Sequence, residues 1–207
     1  MRPAIPLAVK VAYTTWFVLW VPAYWAFNGP QNFLWLCDVT NGLLLLALWS
    51  ESSLLLSAQA VGVLAIQLVW AIDFLGRLAI GRHLVGGTEY MFESGDPLWI
   101  RGCSLFHLWV PVLLLWAIRR IGYDRRAPRL QTVVGWVALT ASYVAGDSTS
   151  NLNWLWRPFG LETPGMPPLG WLAVAWVVIP LVLYWPAHLA LTAVFPPHAR
   201  GGTERGT

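Results

Sequence analysis

Charge is the scarcest property of this sequence: of 207 residues only 10 are acidic and 13 basic, 11% of the chain in all. A chain with so little charge is too apolar for an ordinary soluble domain. Cysteine is nearly as rare. Cys37 and Cys103 are the two present, with no CxxC or other metal-ligand spacing, so neither a disulfide framework nor a metal site is expected. Both lie within apolar runs, where reduced and buried is the common state, and a bridge between them needs their two helices to touch. A basic stripe on a soluble fold is also lacking, which excludes nucleic acid as a partner despite the net charge of +3.

What the chain has instead is apolar length: 57% of its residues are hydrophobic and the mean hydropathy is +0.57. Crossing ~30 Å of hydrocarbon takes about 20 mostly apolar residues in a helix. Runs at about 8–27, 32–50, 54–80, 98–118, 130–147 and 168–192 meet that need. The expectation is an all-α fold, a polytopic transmembrane bundle of six helices forming a single domain over 1–207, in a multi-pass protein of the cell membrane. No room remains for a soluble catalytic domain, so any chemistry belongs to the bundle. The first run begins near Arg2 and Lys10 but is long, holds Trp16, Trp20 and Trp25, and reaches Asn28-Gly29-Pro30 without a small-x-small cleavage site. It reads as a retained helix rather than a signal peptide.

Basic residues favour the cytoplasmic side. With both termini cytoplasmic, that side holds nine arginines and lysines (Arg2, Lys10, Arg119, Arg120, Arg125, Arg126, Arg129, Arg200 and Arg205) against four outside, Arg77, Arg82, Arg101 and Arg157. Tryptophans near both faces, such as Trp25, Trp35 and Trp99 outside and Trp49, Trp136 and Trp185 inside, read as an interfacial belt. Between the second and third runs, Ser50-Glu51-Ser52-Ser53 is expected to cap the third helix. The Gly-rich 81–97 connection has the composition of a loop that could lid an outward cavity. The tail from Arg200 is expected to be disordered.

Ionisable groups inside hydrocarbon are expensive and normally face the bundle interior, so they head the search for a site. Cys37, Asp38 and Asn41 border one face of the second helix at i,i+3 and i,i+4 spacing. Thr40 points partly elsewhere, with its hydroxyl expected on its own helix backbone. In the fourth helix Cys103 and His107 are again i,i+4, and Pro111 can bend the helix one turn later. Asp73 and Arg77, near the outer end of the third helix, read first as a self-neutralising pair and in a sharper reading as substrate-binding residues. All these groups fall in the outer half of the span.

Nucleophilic catalysis needs a Cys, Ser or Thr beside a base, with a third group orienting that base. Cys37 as nucleophile and His107 as base satisfy the residue types. Asp38 and Asn41 are candidates to orient or polarise, and Asn41, Asn151 or a freed amide to hold an oxyanion. Asn151, Asn153, Trp154, Trp156 and Arg157 also suit headgroup contact.

Leu36-Cys37-Asp38 opening a helix, followed by a long third helix, resembles the "LCD" region of the YwaF-like six-helix integral membrane proteins. That group includes the eukaryotic transmembrane acyltransferases of ether-lipid synthesis. His107 falls where the family has a membrane histidine in its fourth helix, and Asn151-Leu152-Asn153-Trp154 resembles its Asn-rich segment. The family often carries Pro-Leu-His before the Cys, where this chain has Phe33-Leu34-Trp35. A more distant likeness is to the androgen-induced-gene and ADTRP-type lipid hydrolases, whose nucleophile position corresponds to Cys37. The resemblance implies a membrane-embedded lipid acyl-ester hydrolase or acyltransferase, with catalytic Cys37 and His107, supporting Asp38, Asn41, Asn151 and Asn153, and membrane lipid as substrate. No metal or organic cofactor is required. The rival reading is a transporter or binding protein with Asp38, Asp73 and His107 along a polar pathway. A haem shared by His107 and His188 is opposed by their different depths.

Overall fold

Backbone in hydrocarbon must satisfy its own hydrogen bonds, which makes long apolar runs helical. The computed structural model describes residues 4–158 and 165–195, and among them every regular element is helical. The helices are α1 (Leu7–Asn28), α2 (Leu36–Ser50), α3 (Ser53–Ile80), α4 (Leu98–Cys103), α5 (Phe106–Ile121), α6 (Ala127–Ala145), α7 (Pro168–Ile179) and α8 (Trp185–Val194). Three stretches are long and apolar enough to cross a membrane: Ser53–Ile80, Leu98–Ile121 and Pro168–Val194. Arg2 and the tail from Arg200 lie outside the described residues.

Three expected runs are subdivided, each for a local reason. The second begins at Leu36 rather than 32, because Pro30–Leu34 forms a separate 3-10 turn. The fourth breaks at Ser104 and Leu105 between α4 and α5. In the sixth, Pro180 has no amide to donate, and Pro180–Tyr184 takes a wider π-helical turn between α7 and α8.

α3 is the hub. It packs most extensively on α5, then on α2 and α6, and also meets α8. Leu56 to Val63 are all buried, a run rich in small side chains that admits neighbours on every side. At Gly62 the Gln131 amide of α6 occupies the space a Cβ would need, and at Gly135 a Cβ would stand 2.7 Å from the Tyr184 hydroxyl. Aromatic rings pack the α1–α5 seam. Trp16 stacks on Trp20 at 5.3 Å and meets Trp109 edge-on at 4.7 Å. Trp25, Trp49, Trp99, Trp136 and Trp185 are exposed.

The end of the bundle that carries the arginines is held by Glu51, in a left-handed turn between α2 and α3. Its carboxylate accepts from the amides of Ala4 (2.9 Å) and Ile5 (3.1 Å) and from Lys10 Nζ (2.7 Å). The expectation that Glu51 caps α3 is therefore corrected. α1 starts without a side-chain cap and offers a cation, so it captures the carboxylate, while Ser52 Oγ alone accepts from Leu55 at the start of α3.

Candidate functional site

At the opposite end, α1, α2, α3, α5 and the loop after α3 converge on one polar and aromatic cluster. Counted by helical rise from the arginine-rich end, Tyr24 and Trp70 stand about 25 Å up and His107 about 21 Å. At the break after α4 the Ser104 carbonyl accepts from the His107 amide at 3.2 Å and also faces His107 Nδ1 at 2.7 Å. A carbonyl only accepts, so Nδ1 carries the proton and Nε2 of the neutral ring keeps its lone pair. Nε2 has no hydrogen-bond partner among the described residues. The ring is clamped on both faces, by Trp70 at 4.6 Å and Phe106 at 4.1 Å, with interplanar angles of 15° and 22°. His107 is thus fixed in tautomer and orientation.

Trp70 Nε1 donates to the Tyr90 hydroxyl at 3.1 Å, and that hydroxyl faces Ser104 as well. Tyr90 belongs to the loop, and burial pushes its phenol up to about 12. The Tyr24 side chain of α1 lies near the Asp38 carboxylate. Cys37, half-buried, packs against the apolar core that includes Phe106. Cys37 and Asp38 open α2 at the same end of the bundle as His107. No hydrogen bond joins Cys37 to His107 among the described residues, and α3 rather than a direct α2–α5 seam lies between their helices. Cys37 and Cys103 are both free thiols.

The loop over this cluster is tied down by Asp73. Its fully buried carboxylate accepts from the amides of Leu84, Val85 and Gly86, each at 2.8 Å, from Thr88 Oγ1 at 2.5 Å, and faces His83 Nδ1 at 2.8 Å. The expected Asp73–Arg77 pair is corrected: the loop saturates the carboxylate, and Arg77 instead lies over the Phe92 ring at 5.6 Å. Asp73 therefore offers no free group to a substrate at this site.

Asn153 and Asn151 are likewise engaged. Asn153 accepts from the Leu36 amide at 3.0 Å and donates to the Leu34 carbonyl and Ser142 Oγ, both at 2.8 Å, so it caps α2 and binds it to α6. Asn151, in a left-handed conformation, accepts from the amides of Trp156 and Arg157 and donates to the Arg157 carbonyl. With their amides committed to backbone, neither is placed to hold an oxyanion.

Asn41 differs. It is fully buried, and both its side-chain nitrogen and oxygen lack a partner. It lies about 14 Å from the arginine-rich end by helical rise. The hydroxyl of its neighbour Thr40 donates to Gln59 Oε1 at 3.1 Å. Thr40 also donates to the Leu36 carbonyl at 3.0 Å, which engages its hydroxyl within its own helix. His188 bonds Tyr123 at the arginine-rich end, far from His107.

Tyr24, Trp70, Tyr90, Ser104 and Phe106 were not singled out by the sequence. The Ser104-x-x-His107 spacing is the one signal that could have found part of this set, since i,i+3 places a serine carbonyl under an imidazole. No protein-family model, curated protein or solved structure matches this chain.

Proposed function

We propose a six-span membrane protein with both termini cytoplasmic, whose cluster in the outer half of the bilayer hydrolyses or transfers the acyl group of a lipid ester. The observation that carries this reading is His107, held in one tautomer between two rings with Nε2 unpartnered. In the proposed reaction His107 Nε2 takes the Cys37 proton. Sγ attacks the acyl carbon, the ester C–O bond breaks, and His107 returns the proton to the departing oxygen. Water or a second lipid hydroxyl then cleaves the thioester. Asp38, beside Tyr24, orients the alcohol side of the ester.

The test is turnover of an acyl lipid by reconstituted protein. A nucleophile and base acting as one unit give Cys37→Ala, His107→Ala and the double variant similar residual rates. Thr40→Val stays close to wild type. Full activity in Cys37→Ala, or wild-type behaviour of all three variants, overturns the reading. Topology is checked with reporters: cytoplasmic after Arg126 and external after Gly87.

A second reading has its own support. Asn41 and Gln67 carry buried amides with no partner at intermediate depths, the kind of group that lines a polar pathway. Asp38, Asn41, Gln67 and His107 would form that path, without Asp73. Proton flux into liposomes holding a pH-sensitive dye, abolished by Asp38→Asn and untouched by Cys37→Ala, selects it over the enzyme.

A further inference from the structure

At the arginine-rich end a groove of about 380 Å³ opens where the start of α3, the α5–α6 turn and the end of α8 meet. Its lining divides by chemistry. Ile121 and Phe195 supply apolar walls, and Ser53, Tyr123, Asp124 and Arg125 supply polar ones. The Asp124 carboxylate is neutralised in place: Arg126 Nη2 lies 2.8 Å away and the Arg126 amide also donates to it. Tyr123 is fixed by its bond to His188 Nδ1 at 2.8 Å. Arg125 is exposed and has neither an ion pair nor a hydrogen bond among the described residues. The groove therefore presents one uncommitted guanidinium over an apolar floor.

Two further features give the opening its sign. Ser53 opens α3, a helix of 28 residues, whose first amides have no partner beyond the Ser52 cap and whose dipole favours an anion there. The surrounding connection, 119–129, holds five arginines against one aspartate. The occupant that suits this lining is anionic at one end and apolar at the other. The chain's own residues 196–207 fit poorly, because Arg200 and Arg205 outnumber Glu204.

We infer that this groove binds the phosphodiester headgroup of an anionic glycerophospholipid, with Arg125 as the phosphate ligand, Ser53 and the α3 amides beside it, and the acyl chains running down along α8. Exposed Leu189 and Val194 on α8 offer those chains an apolar track. The site is separate from the His107 cluster and stands whether or not that cluster is catalytic.

The test uses the full chain in nanodiscs of phosphatidylcholine doped with phosphatidylglycerol, with retained lipid read by native mass spectrometry. Wild type retains phosphatidylglycerol in preference to phosphatidylcholine. Arg125→Gln weakens that preference by about five-fold, the scale of one arginine near an anionic surface. Arg129→Gln, in the same connection but outside the groove, leaves it nearly intact, and thermal stability in pure phosphatidylcholine shows that both variants remain folded. Equal losses in the two variants reduce the effect to diffuse surface charge and overturn the site. Soluble glycerol 3-phosphate at millimolar concentration separates the two sources of phosphate: failure to displace the lipid supports a lipid ligand, and full displacement overturns it in favour of a free phosphate ester.

Discussion

Asp73 shows how much one buried carboxylate can organise. It collects three consecutive loop amides, a hydroxyl and an imidazole, and bonds to a charged acceptor are the strong ones. Asp73→Ala leaves those amides without an acceptor, and the expected loss is about 2–4 kcal/mol of stability. Amide exchange at 84–86 should accelerate well beyond that of the rest of α3; unchanged protection there would mean the loop is held by something else. Glu51 gives a pH signature at the other end. Its hydrogen bond with Lys10, then those from Ala4 and Ile5, pull its carboxyl from 4.5 down to about 2. A depressed carboxyl contributes its stability above its ordinary value and loses it as pH falls through the folded one. Protection of the amides of residues 4–10, taken relative to the intrinsic exchange rate at each pH, should therefore fall between about pH 4.5 and 2 in wild type, and Glu51→Gln should flatten that fall. Neither role was legible in the sequence. Helical spacing shows Asp73 beside Arg77 and cannot show a loop folding back ten residues later, just as it shows Glu51 before α3 and not below α1. His107, by contrast, was legible, because an ionisable ring in an apolar run has few bland uses.

Among the elements, α3 owes its central place to close approach. A Cβ at Gly62 would collide with the Gln131 amide, whereas one at Gly102 in α4 would meet nothing within 4 Å. Gly62→Ala should cost about 1–3 kcal/mol by overpacking. Gly102→Ala should be neutral or raise stability by about 0.5–1 kcal/mol through helix propensity. Thermal unfolding in one detergent compares the pair, and equal shifts would remove the steric account of the α3–α6 contact. Hydropathy marked the apolar run through α4 and α5 but not the break at Ser104 that positions His107. A one-turn interruption leaves the average apolarity of the window unchanged, yet it turns the Ser104 carbonyl onto the backbone amide and the ring of His107.

For the molecule as a whole, apolar runs announced an all-helical bundle with three helices long and apolar enough to cross a membrane, but their arrangement around α3 had no counterpart in hydropathy. Every run is apolar, so packing order depends on small residues and buried amides such as Gly62, Gln59 and Gln131. The shares of the apolar windows that are buried make the hierarchy plain: 56% for Ser53–Ile80, 33% for Leu98–Ile121 and 11% for Pro168–Val194. That hierarchy bears on how the chain is made. α1 and α2 leave the ribosome first, carrying Lys10, Asp38, Thr40 and Asn41 before α3 can cover them. Thr40 gains Gln59 only when α3 emerges. Nascent chains arrested after Ser50 should be extracted from membranes by alkali or degraded, while chains arrested after Thr88 should resist; equal resistance would show that α1 and α2 settle unaided. On the six-span reading, the third segment is where the first two helices gain their partner, and a ribosome stalling just before it would leave that pair with nowhere to dock.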